Sequence, residues 1–169
     1  LLQTALCTFA QPKFASKVGK GIFVVNTYDR QGNLLHQGTG FYVGAQGEAV
    51  ADYRVFKGAY SATVTGSDGK PTEVDCVLGA DDSYSLVRFR VKTKGNAVLP
   101  VAASYLPMKS TVFVLDGSGG KSVQSVEAVV ADTSMIQGKY AYYGLDKAVD
   151  EKWVGVPVFD KDGALVGIL

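Results

Sequence analysis

Only two cysteines, Cys7 and Cys76, occur in the 169 residues. That is too few for a disulfide framework, and they lie too far apart for the short C-x-x-C type spacing of a zinc pair. A single histidine, His36, excludes a metal site built from imidazoles. The residues therefore call for neither a metal nor a cofactor. No run approaches the ~18 apolar residues of a membrane span. An excess of charge is missing as well. Lys+Arg 17 against Asp+Glu 16 leaves a formal net charge of +1, so no global field draws nucleic acid or an anionic membrane.

Apolar side chains are plentiful, at 47% of the sequence, which excludes intrinsic disorder and supplies a core for one domain or two small sub-domains sharing an interface. Twenty glycines, nine tyrosines and eight phenylalanines, with many valines, point to strands joined by tight turns. The opening segment LLQTALCTFA reads in two ways: the end of a secretory leader, which implies export, or a short amphipathic helix running toward Lys17.

From Ile22 onward, short apolar alternations are punctuated by turn signals. IFVVNTYD, LLHQGTGFYVG and EAVADY form a meander. YSATVTG and PTEVDCVLG flank the Ser67-Asp68-Gly69-Lys70 turn. In YSLVRFRV, Leu86, Arg88 and Arg90 lie on one side while Val87, Phe89 and Val91 share the other. The Lys92 to Met108 stretch, with Pro100 and Pro107, breaks the rhythm and reads as a linker. STVFVLD, SVQSVEAVVA, SMIQGKYAYYG, GVPVF and ALVGIL then make a second set. Two sets of about six short strands predict an all-β protein of two packed six-stranded antiparallel β-barrels, because closure removes exposed edges. The expected divisions are an N-terminal segment (1–17), a first barrel (18–105) and a second barrel (106–169). A strand still running at Leu169 implies a longer parent chain. Val87, Phe89, Val112, Val114, Val158, Val166 and Ile168 are expected in the core.

The order of motifs resembles the trypsin-like serine peptidases, of the compact HtrA (Deg) type, from about Ser16 to Leu169. Gly38-Thr39-Gly40-Phe41 is similar to the G-S/T-G-F strand that leads to the family's histidine segment, and there Arg54 stands in the base position. Gly79-Ala80-Asp81 followed by Ser85-Leu86-Val87 resembles the aspartate strand, with Ser85 in the carboxylate position. Trp153-Val154-Gly155-Val156-Pro157 followed by Gly163-Ala164-Leu165-Val166-Gly167-Ile168 resembles the nucleophile segment, with Val154 in the serine position.

The resemblance implies a triad missing at every member. A guanidinium has only donors and cannot take a proton from a hydroxyl. Val154 has no heteroatom, and Ser85 lacks the charge that steadies an imidazolium. Lys152 replaces the glycine whose backbone N–H would turn toward a developing oxyanion. The implied function is a catalytically inactive pseudoprotease domain that binds a peptide or protein, or further domains of a longer chain, with Arg54, Lys152 and Trp153 as binding candidates. Trp153 reads more readily as a core or barrel-corner residue. A guanidinium in such a cleft calls for a carboxylate, with Asp52, Asp81, Asp82 and Glu151 as candidate partners.

The competing reading is an active hydrolase with Ser118 or Ser134 as nucleophile. Gly117-Ser118-Gly119-Gly120 reproduces the letters of a protease loop, but without a following Pro-hydrophobic step it reads as a hairpin loop. The resemblance puts His36 away from the cleft, on a strand. Cys76, inside an apolar alternation, is expected to be a small buried hydrophobe. Tyr140, Tyr142 and Tyr143 read as strand packing, with no basic groove for nucleic-acid stacking.

Overall fold

The computed structural model describes residues 11–93, 96–117, 123–136 and 140–169. Cys7, Ser118 and the segment 1–10 lie outside them. A single turn of helix, α1 (Ala15–Val18), precedes eleven strands. The first six are β1 (Ile22–Tyr28), β2 (Leu34–Tyr42), β3 (Glu48–Asp52), β4 (Ser61–Thr65), β5 (Pro71–Asp81) and β6 (Leu86–Val91). They close into a barrel in the order β1-β2-β3-β6-β5-β4, all antiparallel, with β1 pairing β4 to complete the ring. Alternation sets the inward face. Val87, Phe89 and Val91 are buried, whereas Arg88 between them is exposed. Phe89 packs edge-on against Phe23 of β1, at 6.3 Å between ring centroids, and full burial of such a ring contributes about 3 kcal/mol.

The second unit is built from β7 (Thr111–Asp116), β8 (Gln124–Ile136), β9 (Tyr140–Leu145), β10 (Pro157–Asp160) and β11 (Leu165–Ile168). They form one curled five-stranded sheet in the order β11-β10-β7-β8-β9. Among the described residues the second unit is thus a five-stranded half-barrel, a correction to the expected six-stranded barrel. The expected SVQSVEAVVA strand continues without a break into Ser134-Met135-Ile136 as a single strand, and five strand segments cannot supply a sixth member. Val112, Val114 and Val158 are buried as expected. Val166 and Ile168 are only half-buried, because β11 lies at the sheet edge.

Between the units lies a shared apolar layer. Ile22 and Phe41 of the first unit meet Leu115, Phe159 and Leu165 of the second, with Leu99 of the connection among them. The connection is laced to both sides, since Leu99 N donates to Tyr42 O at 3.0 Å and Ala102 N to Leu165 O at 2.9 Å. Two rigid pieces are therefore held as one body, and loops from each can face one another across the join.

Cys76 is a second correction, being exposed on β5. The register of β5 against β6 slips between Val74 and Cys76 and again between Val77 and Gly79. Each slip breaks the two-residue alternation on which the expectation of burial rested.

Candidate functional site

β3 ends at Asp52, which caps a 3-10 turn over Tyr53–Phe56 by accepting from Arg54 N at 2.8 Å. The cap folds the chain back on itself, so the Arg54 side chain returns to the same carboxylate. Its Nε lies 2.9 Å from Oδ1 and 3.1 Å from Oδ2, and its Nη2 lies 2.5 Å from Oδ2. From the β5–β6 turn, Ser85 Oγ donates to Asp52 Oδ1 at 3.0 Å. Ser85 holds φ at +52°, a left-handed conformation uncommon for a residue with a side chain, while its carbonyl accepts from Tyr53 N at 2.8 Å. Asp52 is thus a buried carboxylate whose two oxygens are saturated by fixed donors.

Burial pushes the Asp52 carboxyl up, but the hydrogen bonds from the Arg54 side chain and backbone and from Ser85, with the guanidinium charge, outweigh it and hold the group below its ordinary value. Asp52 therefore favours its charged form when folded. Its contribution to stability is fully present above the ordinary carboxylate range and is lost as pH falls through the depressed folded value. Urea unfolding followed from pH 7 down to pH 3 is expected to show an acid-limb loss that Asp52→Asn reduces. An unchanged acid limb in the variant would deny the pairing its role.

The second unit meets this cluster through a 3-10 turn over Glu151–Trp153, capped by Asp150 accepting from Lys152 N at 3.0 Å. Val154 follows, and its N–H donates to Glu151 O at 3.1 Å. Gly155 then takes φ +86°, where a Cβ would stand 3.3 Å from Asp52 Cβ. The loop therefore lies directly against the carboxylate. The backbone N–H groups of Lys152 and Val154, where the sequence leads one to expect oxyanion donors, are both already bonded within their own turn.

Between the units opens a cleft of about 730 Å³ that brings Asp52, Arg54, Lys152 and Val154 together with His36, Thr39 and Glu151. The sequence-based convergence of Arg54 and Val154 is observed, while Ser85 reaches the cleft through Asp52 rather than lining it. Of the four candidate partners, Asp52 pairs with Arg54. Asp81 instead accepts from Ser83 N and Tyr84 N of its own turn.

Two expectations are corrected here. His36 lines the cleft, because the β2 strand runs along its rim. His36 and Thr39 are three residues apart in the regular part of β2, so they project to opposite faces and cannot act as a base and hydroxyl pair. Trp153, a binding candidate, is buried with Val112, Val114 and Val156 inside the second unit and does not line the cleft. Lys152 does line it, exposed and paired at 3.3 Å with the exposed Asp150, a contact worth little to stability. Ser134 stands exposed on β8 opposite Tyr142 of β9, and it is not among the cleft-lining residues. Among the described residues, no group of three or more His, Cys, Asp or Glu side chains could hold a metal ion.

No protein-family model matches the chain. It is 27% identical over 165 residues to the anti-sigma-I factor RsgI9 of Acetivibrio thermocellus, covering 94% of this chain and 23% of that protein. Two solved structures of the HtrA-type protease AlgW with a tripeptide match at a TM-score of 0.76 and 18% identity, covering 91% of this chain and 52% of theirs. The chain thus spans about a quarter of the curated relative and about half of the solved protease chains. With one closed barrel, one curled half-barrel and a cleft at their join, the chain has the trypsin-like fold found in the HtrA-type protease.

Proposed function

We propose that the chain is a non-catalytic trypsin-like module that holds a peptide segment of a protein partner in the cleft between its two units. The observation that carries this reading is Arg54 clamped to buried Asp52 at the base position. A guanidinium held by a carboxylate offers no lone pair, so Arg54 does not activate a hydroxyl as a base at that position would. Val154 supplies no nucleophile, and the N–H groups of Lys152 and Val154 are spent within their turn. What is left is a preformed, polar, open cleft between two rigid units, a geometry suited to an extended ligand.

The relative named as an anti-sigma-I factor supports a protein partner, since this chain resembles about a quarter of that protein. The proposed setting is accordingly a module within a longer polypeptide. Treatment with a fluorophosphonate probe is expected to leave the purified chain unlabelled. A stoichiometric adduct on Ser118 or Ser134 would overturn the reading in favour of an unorthodox serine hydrolase.

A further inference from the structure

A guanidinium carries five N–H donors, and Arg54 spends two of them on Asp52, one from Nε and one from Nη2. Among the described residues, no acceptor takes the other three. The Arg54 side chain is 64% exposed although its partner is buried, so the unspent edge, formed by Nη1 and the second N–H of Nη2, is open to the cleft it lines. The head group is also fixed. Asp52 is held in turn by Ser85 Oγ and by the Arg54 backbone, and Gly155 closes on Asp52 from the other unit. A guanidinium on a free stem loses rotamer entropy when it binds, whereas one already clamped has lost most of it. The Asp52 carboxylate is saturated, so it does not compete for the outer edge.

We infer that the outer edge of Arg54 is a carboxylate receptor: it takes an acidic side chain or the C-terminal carboxylate of a peptide lying in the cleft. A planar guanidinium edge offers two parallel N–H groups, which match the two oxygens of a carboxylate. Of the other ionisable groups in the cleft, Lys152 stands on the opposite unit, paired at 3.3 Å with Asp150. Glu151 beside it repels an incoming carboxylate, so recognition has to come from the fixed donors of Arg54. His36 on the β2 rim completes the set. This inference rests on the proposed peptide-binding role and specifies what that role recognises.

The test is a random hexapeptide array probed with the purified chain, printed in two forms, one with free C-termini and one amidated. Enrichment of Asp and Glu in the amidated set identifies a side-chain carboxylate, and binding confined to the free-acid set identifies a C-terminus. For the best binder, Arg54→Lys is expected to weaken affinity roughly tenfold or more, because an ammonium cannot hold Asp52 and a second carboxylate edge-on at once. The double variant Asp52→Asn/Arg54→Met, which leaves no unpaired buried charge, is expected to lose the preference for acidic peptides while keeping a cooperative thermal transition. Binding with neither an acidic preference nor a dependence on a free C-terminus, or binding unchanged in both variants, overturns the receptor and leaves the peptide-binding module standing. Absence of binding to any peptide overturns both.

Discussion

Replacing Trp153 by alanine is expected to cost about 3–5 kcal/mol of stability, a loss at the upper end for a core truncation. The indole is buried among Val112, Val114, Ala128 and Val156, and it is the last residue of the 3-10 turn that carries Lys152 and leads to Val154. Its neighbours Val112, Val114 and Ala128 are held in register by the β7–β8 pairing, so they collapse into the void only in part and the cavity term remains. The loss falls on the part of the second unit that faces Asp52. Chemical denaturation should show the midpoint moving down with peptide binding lost in parallel. A shift below about 1 kcal/mol would mean that Trp153 is not the anchor of this loop.

Gly47→Ala is the second large effect, expected at roughly 3 kcal/mol or more. Gly47 has φ +83°, a conformation that already penalises any side chain by roughly 1–2 kcal/mol. A Cβ there would also collide with the backbone carbonyl of Val91, and Val91 N donates to Gly47 O at 2.9 Å, so the two main chains cannot separate without losing that bond. The consequence reaches the cleft, because Gly47 opens β3, and the pairing of β3 with β6 sets Asp52 opposite Leu86 and so beside Ser85. Gly32→Ala, at a turn with φ +82° and nothing within 4 Å of an added Cβ, isolates the conformational part of the penalty and should cost clearly less. Equal losses in the two variants would show that the Val91 contact contributes nothing.

The parts of the fold set by period-two alternation and turn chemistry were readable from residues alone. The inward row Val87, Phe89 and Val91 is one such part, and the breaks between the first six strands are another. What depended on register was not. The slips in β5 that expose Cys76 leave only a weak mark in the one-dimensional pattern, the unbroken apolar run Cys76-Val77-Leu78, and that run does not say which of its residues faces out.

At the site, the resemblance to the trypsin-like peptidases placed Arg54 and Val154 in one cleft, and the chemistry of a guanidinium required a carboxylate for it. Asp52 was one of four candidates, and its selection comes from the 3-10 turn, which brings positions two apart onto one carboxylate. The Asp52 cap of a short turn before Arg54 is the signal that singles it out in retrospect. His36 at the rim had no such signal, because its placement follows from the course of β2 across the barrel join.

The claim that the cleft binds without cutting is tested most directly by incubating the unmodified chain with casein at high enzyme concentration and following new N-termini over many hours. No release above a buffer control is expected, because Arg54 cannot accept a proton and the Val154 side chain has none to give. Cleavage that is abolished by Ser134→Ala or Ser118→Ala would contradict it.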